Sequence, residues 1–211
     1  MIFTHKKKKL KKKKVTTIVI SFMGVDGSGK STLINFITKK LKKKYEKIQY
    51  LHLRPYLFLT DKSTTNSNPH KKKKLNSKFA SLLKILIWLI IYKIFFLIKL
   101  RKKKQLIIFD RYAHDISIDK IRYRFNLSNK LTKFILSLFP QPHLWIILRA
   151  PIKLIEKRKK ELTTKELNRQ MKKYISFSKK RKNSLLLNTS ENIKNNILLI
   201  EKKLTVLYHN G

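Results

Sequence analysis

The segment Gly24–Thr32 constrains this chain most, because it fits the Walker A pattern of Gly, four residues and then Gly-Lys-Ser. Residues 15–23 before it are apolar and β-branched, which predicts a buried strand, and residues 33–41 after it repeat apolar side chains at helical spacing. Between a strand and a helix, the backbone N–H groups of such a loop surround a polyphosphate. Lys30 would then reach the β- and γ-phosphates, and the Ser31 hydroxyl would take a Mg²⁺ position.

The charge of the chain comes mainly from lysine: 43 lysines and nine arginines contribute to a formal net charge of +41. Like-charge runs are usually solvated ends or loops. Abundant Lys, Ile and Asn with scarce Gly is what an A/T-rich coding sequence produces, so compositional drift explains the charge, and a selected polyanion surface is the alternative. Either origin predicts nonspecific binding to nucleic acid or anionic lipid in vitro. The lysine runs lie at 6–9, 11–14, 42–44, 71–74 and 102–104.

The absence of cysteine excludes disulfides, cysteine-ligated metals and thiol nucleophiles, and it fits a cytoplasmic protein. Residues 1–14 are a basic N-terminal tail that we expect to be disordered, and residues 15–211 form the predicted P-loop domain. Basic residues 5–14 followed by apolar residues 15–25 imitate a secretion signal, but cleavage there would delete the first strand.

A second apolar segment, Phe79–Leu100, is long enough to span a bilayer. Lys84, Lys93 and Lys99 interrupt it, and Lys93 would lie near the middle of the membrane. We therefore interpret it as a helix packed on the sheet, with attachment to a membrane surface as the alternative.

Strand and helix patterns alternate along the chain, which predicts an α/β fold with a parallel, doubly wound sheet of about five strands. The architecture expected is the three-layer sandwich of P-loop NTPases with a helical lid at about 151–182. Strands are predicted at 15–23, 45–53, 106–109, 144–148 and 184–187. Helices are predicted at 33–41, 79–101, 115–125, 128–138, 151–182 with a break near 163–164, and 191–207 behind a cap at 188–190.

Functional side chains are expected where the strands end, because ligands of such sheets gather at the carboxyl ends of the strands. Asp110 closes an apolar strand, as a Walker B carboxylate that holds Mg²⁺ does, and a helix cap is the alternative. Arg54 and Arg111 at strand ends suit bidentate phosphate binding. Arg158 and Arg169 lie in the predicted lid, where they could neutralise a transferring phosphoryl group or form a solvated helix face.

Two further carboxylates, Asp115 and Asp119, are four residues apart and would share a helix face. They could orient an acceptor hydroxyl, or pair with Arg122 and nearby lysines. Three histidines lack metal-ligand spacing and are interpreted as structural or incidental: His52, His114 and His143.

With these residues in place, the chain over about 15–207 resembles the thymidylate kinase family of P-loop nucleoside monophosphate kinases. The specific matches are Gly24–Thr32 and Asp110-Arg111-Tyr112, and the weaker matches are 142–151, 156–158, 169–170 and 188–190. The resemblance implies ATP as donor, Mg²⁺ as cofactor, nucleotides as small-molecule partners and no specific nucleic acid. It leaves a homodimer as one option.

The resemblance also implies a role for each matched residue. The implied catalytic residues are Lys30, Arg111 and Arg158, the lid arginines are Arg158 and Arg169, and the metal-binding residues are Ser31 and Asp110. The implied ATP contacts are Gly24, Asp26, Gly27, Ser28, Gly29, Lys30, Ser31, Thr32, Asn188 and Thr189. The implied acceptor contacts are Asp26, Arg54, Arg111, Tyr112 and Asp115.

The chain looks closer still to a divergent thymidylate kinase-like branch associated with bacterial surface-polysaccharide gene clusters, which shares 52–55, 68–70, 110–115 and 158–162. It departs from thymidylate kinases in three places. The helix at 90–96 lacks the arginine that grips the acceptor phosphate, Arg54 is followed by Pro-Tyr rather than Glu-Pro-Gly, and the thymine-contacting Tyr-Gln pair is replaced near 118–120.

Three functional hypotheses follow from these residues. The first is a Mg·ATP-dependent nucleoside monophosphate kinase, with thymidylate as the first acceptor. The second is a kinase of another small acceptor, such as a sugar or a lipid-linked intermediate of surface-polysaccharide synthesis. The third is a non-enzymatic or nucleic-acid-linked ATP-binding protein, which the net charge suggests.

Overall fold

Five parallel strands form one sheet in the order β2-β3-β1-β4-β5 in the computed structural model, which describes residues 17–53, 75–102 and 104–210. This confirms the predicted doubly wound α/β architecture. The strands are β1 Ile18–Met23, β2 Lys47–His52, β3 Gln105–Asp110, β4 Leu144–Arg149 and β5 Ser184–Asn188. The helices are α1 Lys30–Leu41, α2 Lys78–Lys99, α3 Asn129–Ser137, α4 Ile152–Arg158, α5 Thr164–Lys179 and α6 Ile193–Asn210, with a 3₁₀ turn at Ala113–Ser117.

The central strand β1 is buried on both faces, which explains its unbroken apolar sequence. Ile18, Ile20 and Phe22 face one layer of the core, which α1 and α6 cover. Val19 and Met23 face the other layer, which α2, the 3₁₀ turn, α3 and α5 cover. Three layers result, and the parallel pairing of β1 with β3 and β4 brings their carboxyl ends to one edge.

Helix α2 packs one face against the sheet, as the sequence predicts. Its buried side chains, among them Ile85, Trp88 and Phe95, recur at helical spacing, and the Tyr92 hydroxyl donates a hydrogen bond to the carbonyl of Leu53. The opposite face stays apolar and exposed. By length and composition, α2 is also the one helix among the described residues that could cross a membrane.

The prediction of a helix at 115–125 is wrong. The chain forms the short 3₁₀ turn there and then a series of tight turns. Asp119 accepts a hydrogen bond from the backbone N–H of Arg122, at 3.1 Å, which favours a turn over a continuing helix. Arg124 adopts a positive φ of 52°. Side-chain bonding to the backbone and tertiary burial therefore override a helical pattern here.

The segment 151–182, which the sequence predicts as a lid, forms the two helices α4 and α5. The break near 163–164 is confirmed, because Thr163 caps α5 by accepting from the N–H of Glu166. Helix α5 itself buries Leu167 and Tyr174 in the core, so it belongs to the helical layer of the domain. Only α4 and the loop that follows it lie over the phosphate loop, where Arg158 and Lys159 line the cavity.

The final helix has a different cap from the one predicted at 188–190. It begins at Ile193, and the Asn192 side chain accepts from the N–H of Lys194 at 2.9 Å. The predicted tail at 1–14 lies outside the described residues.

The buried His114 should make the fold sensitive to acid. Burial, with a smaller contribution from Arg181, lowers the pKa of His114 from 6.5 to about 3. The unfolded chain therefore binds a proton that the folded chain excludes, and stability falls as the pH falls below about 6.5.

In His114→Phe, which keeps a ring among Tyr112, Trp145 and Phe177, the pH slope of the free energy of unfolding should shrink by about 1.4 kcal/mol per pH unit. Urea titrations between pH 6.5 and 4.5 measure it; equal slopes for both proteins would contradict the assignment.

Candidate functional site

A cavity of about 530 Å³ opens at the carboxyl edge of the sheet, above β1 and β3. The phosphate loop forms its floor, the loop after α4 covers one side, and the start of α6 closes the other. Its polar and charged lining comprises Asp26, Lys30, Ser31, Thr32, His52, Asp110, Arg111, Arg122, Arg158, Lys159, Thr189, Glu191 and Asn196, with Gly27 and Gly29.

The glycines of the loop are required by space and by backbone geometry. At Gly24, which has a φ of 153°, a Cβ atom would lie 2.8 Å from the carbonyl oxygen of Leu148. Gly29, with a φ of 88°, is the left-handed residue from which α1 starts. Together they place the loop tightly between β4 and the first turn of α1.

The side chain of Lys30 is buried beneath the phosphate loop. Its Nζ donates hydrogen bonds to the carbonyls of Gly24 and Val25, both at 2.9 Å. Burial and the nearby Arg111 lower the pKa of Lys30 to about 8, although Asp26 and other carboxylates partly offset them. The ammonium group is therefore held ready inside the loop and is easier to deprotonate than an ordinary lysine.

Asp26 lies at the centre of a cluster of cations. Its carboxylate accepts hydrogen bonds from the guanidinium groups of Arg111 and Arg122, one on each oxygen. The Nζ atoms of Lys30 and Lys159 both lie 3.8 Å away. Burial would raise the pKa of Asp26, but Arg111, Lys30 and Arg122 together hold it far below its usual range. The site therefore concentrates positive charge at one point, which suits a phosphate group.

Arg111 is held rigidly between two carboxylates. Its side chain is almost completely buried, and its Nη atoms donate to Asp26 and Asp115. Its backbone adopts a φ of 72°, and its N–H donates to the carbonyl of Phe22 at 2.8 Å. A positive φ in a residue with a side chain is unfavourable and is found at functional sites. Arg111 is fixed from both its backbone and its side chain.

The structure corrects the direct acceptor contacts predicted for Asp115 and Tyr112. The Asp115 carboxylate is fully buried behind Arg111 and accepts from the hydroxyls of Tyr174, at 2.8 Å, and Tyr123, at 3.3 Å. Tyr112 is also buried, and its hydroxyl donates to the carbonyl of Pro140 at 2.6 Å. Neither side chain reaches the cavity, so Asp115 acts by positioning Arg111.

The carboxylate of Asp110 lies at the end of β3, and its two oxygens differ in their contacts. Oδ2 of Asp110 accepts from the Tyr50 hydroxyl at 3.0 Å and lies 3.6 Å from Nδ1 of His52. Oδ1 is buried and has no hydrogen-bond partner in the described part of the chain. Burial would raise the pKa of Asp110, but His52 and Lys30 lower it, so the group is ionised.

These residues fit a Mg²⁺ ion that keeps most of its ligands as water and phosphate oxygens. The unpartnered Oδ1 of Asp110 and the hydroxyl of Ser31 both belong to the lining of one cavity. Within the described ranges, no group of three or more His, Asp or Glu residues could hold a metal by itself. The described residues therefore do not form a metal site from protein ligands alone.

The two predicted lid arginines differ in position. Arg158 lines the cavity, and its Nη1 donates to the carbonyl of Gly27 at 3.2 Å. Arg169 lies on α5, pairs with Glu166, and donates to the carbonyl of Ile118 at 3.3 Å. It does not belong to the cavity lining, so the prediction for Arg169 is corrected.

Of the two ATP contacts predicted at the end of β5, one lines the cavity. Thr189 lines it, while the Asn188 side chain turns to Glu191, at 3.1 Å. Arg54 lies outside the described residues.

The sequence prediction missed five polar or charged residues of the lining, two of which carry charge beside Asp26. Arg122 and Lys159 could not be assigned from local patterns, because each reaches the phosphate loop from a segment far away in sequence. The scarcity of arginine was the one available signal for Arg122. The remaining missed residues are His52, Glu191 and Asn196.

Neither a family model nor a curated protein matches the sequence. Solved structures do match. The thymidylate kinase from Ehrlichia chaffeensis is 19% identical, covers 89% of this chain and 98% of its own, and has a TM-score of 0.61. The thymidylate kinase from Candida albicans is 16% identical over 90% and 92%, with a TM-score of 0.61. A deoxyadenosine kinase from M. mycoides, solved with bound dATP, is 20% identical over 89% and 100%, with a TM-score of 0.56. The chain therefore has the P-loop fold of thymidylate and deoxyadenosine kinases.

Removal of the Asp26 charge should destabilise the empty site. In Asp26→Asn the buried Arg111 loses one of its carboxylates, and the free energy of unfolding should drop by about 3 kcal/mol or more. Sulfate or inorganic phosphate should restore more stability to this variant than to the original protein, because the anion replaces the lost charge. Thermal melts with and without sulfate test this, with Glu191→Gln as a control on the same cavity.

The lowered pKa of Lys30 predicts a pH dependence of nucleotide binding. A bound polyphosphate favours the ammonium form, so above pH about 8 binding must take up a proton. The affinity for ADP should then fall by up to about tenfold per pH unit. Lys30→Arg, which stays charged, should bind with a flat pH profile; calorimetry measures both, and a flat profile for the original protein would contradict the assignment.

Proposed function

We propose that this protein is an ATP-dependent phosphotransferase that phosphorylates a nucleoside monophosphate, with thymidylate as the first acceptor (dTMP + ATP to dTDP + ADP). The observation that carries the proposal is the meeting of three features in one cavity. These are the phosphate loop with Lys30, the metal-competent oxygen of Asp110, and the cations around Asp26. The fold shared with thymidylate and deoxyadenosine kinases supports it.

The donor end of the cavity lies at the phosphate loop. Backbone N–H groups at the start of α1 face the polyphosphate of ATP, and Lys30 exchanges its bonds to loop carbonyls for phosphate oxygens. The nucleoside end of ATP then extends towards Thr189 and the first turn of α6. Asp110 and Ser31 would hold Mg²⁺, which would neutralise part of the polyphosphate charge.

The acceptor end lies at Arg111 and Arg122. In thymidylate kinases, to which the sequence is similar, an arginine of the helix equivalent to α2 grips the acceptor phosphate, and α2 has no arginine. Arg122 reaches the same cavity from the turn after the 3₁₀ element and meets Arg111 at Asp26. The two guanidinium groups can bind an incoming phosphate in place of the carboxylate.

The transfer itself needs positioning and charge neutralisation. An oxygen of the acceptor phosphate is already ionised at neutral pH, so it attacks the γ-phosphorus without a general base. The bond from that phosphorus to the β–γ bridging oxygen breaks, and ADP leaves. Lys30 and Arg158 stabilise the charge on the transferring group, as in other phosphoryl transfers.

A second candidate is a kinase of another small acceptor, such as a sugar or a lipid-linked intermediate of surface-polysaccharide synthesis. The positions that replace the thymine-contacting pair do not belong to the cavity lining. Asp119 caps the turn at Arg122, and the Nζ of Lys120 donates to the carbonyl of Leu127. Recognition of a thymine ring at these positions is therefore unsupported, whereas recognition of the acceptor phosphate does not depend on them.

An acceptor screen under Mg·ATP tests the proposal. We expect ADP formation with thymidylate or another nucleoside monophosphate, and its loss in Lys30→Ala. Arg122→Ala should raise the KM for the acceptor by about 10-fold to 100-fold, the value of a lost charged hydrogen bond, with little change in the KM for ATP. Arg101→Ala, at the opposite edge of the sheet, is the matched control.

The outcomes separate the candidates. Turnover with a sugar, a lipid-linked intermediate or a phosphate of either, and none with any nucleoside monophosphate, would favour the second candidate. ATP binding without turnover of any acceptor would contradict both.

A further inference from the structure

The outer face of α2 is an unusually long apolar surface. Eight large apolar side chains, each between 39% and 76% exposed, lie on it: Phe79, Leu83, Leu86, Ile87, Ile90, Ile94, Leu97 and Ile98. Their spacing of three and four residues places them on one stripe of a 22-residue helix, about 33 Å long at 1.5 Å per residue. We propose that this stripe docks the protein on the surface of an anionic phospholipid bilayer.

Ordinary surface composition does not account for the stripe. Single exposed apolar side chains are common, but a continuous apolar surface of this length marks an interaction site. The neighbouring helix α3 contributes three more exposed apolar side chains to the same layer of the molecule: Leu131, Phe134 and Leu138.

The charge of the helix and its flanks favours lipid over a second copy of the chain. Helix α2 contains no Asp or Glu, and basic residues follow its end at 101–104. Lys78 and Lys93 are exposed on the helix itself. Two copies would bring like-charged surfaces together on a protein of net charge +41. Anionic headgroups attract the same lysines, each of which adds about 1 kcal/mol near such a surface.

The packing of α2 fixes how it meets the bilayer. The inner face is committed to the sheet through Ile85, Trp88 and Phe95, and the Tyr92 hydroxyl bonds to Leu53. A spanning orientation would pull these side chains out of the core. The helix therefore lies flat, with its outer stripe at the headgroup–acyl boundary, and Lys93 at the edge of the stripe extends its ammonium group to the headgroups.

Vesicle sedimentation with the full-length protein tests the proposal. We expect binding to vesicles of phosphatidylcholine mixed with phosphatidylserine, and weak binding to phosphatidylcholine alone. The double variant Leu86→Glu, Ile90→Glu should bind about 100-fold more weakly, since each apolar side chain that leaves water contributes roughly a factor of ten. The matched control is Leu198→Glu, Leu199→Glu, which changes two exposed residues of α6 on the opposite layer. Equal losses in both variants would leave only general charge attraction and overturn the proposal.

A second measurement reports insertion directly and does not require a destabilising charge. Since the chain has no cysteine, Ile90→Cys can carry a single polarity-sensitive fluorophore. Its emission should shift to the blue with anionic vesicles, whereas a label at Leu199→Cys should not shift. A shift that depends on protein concentration in the absence of vesicles, together with a dimer in analytical ultracentrifugation, would show that a second copy covers the stripe and would overturn the proposal.

Discussion

The charge balance at Asp26 is the interaction on which the rest of the site depends. One buried carboxylate compensates two arginines directly and two lysines at longer range. Without an anion at this point, bringing these cations together at the end of a buried strand would be strongly unfavourable. The phosphate loop therefore carries its own counter-charge. In the proposed function, an incoming phosphate replaces this existing interaction with the cations.

This balance also organises the elements around it. Arg111 leaves β3 in a left-handed conformation, which turns its side chain back towards the loop after β1. Behind it, Asp115 is held by the hydroxyls of Tyr123 and Tyr174, so residues from the turn and from α5 act through one guanidinium group. The helical layer that contains α5 thus contributes to the geometry of the cavity without lining it.

Local patterns predicted most of the fold, because the hydrophobic spacing of each strand and of most helices is visible within ten to twenty residues. The phosphate loop and Asp110 were predictable for the same reason: a motif and its flanking strand are adjacent in sequence. Residues 115–125 were mispredicted because a buried carboxylate and a side-chain cap outweigh helical spacing. The roles of Arg122 and Lys159 depend on which distant segments the topology brings to Asp26, and no local pattern encodes that.

The two hydrogen bonds from Lys30 to the carbonyls of Gly24 and Val25 have a consequence for how inactive variants are interpreted. The lysine braces the empty loop from within through these bonds, and in the proposed function it also binds the phosphates. A substitution that deletes Lys30 loosens the loop and, in the proposed function, also removes a substrate contact. The measured rate of the variant then contains both effects. An inactive Lys30 variant therefore shows that the loop is necessary. The contribution of the ammonium charge alone has to be measured with a side chain that keeps the hydrogen bonds to the loop carbonyls.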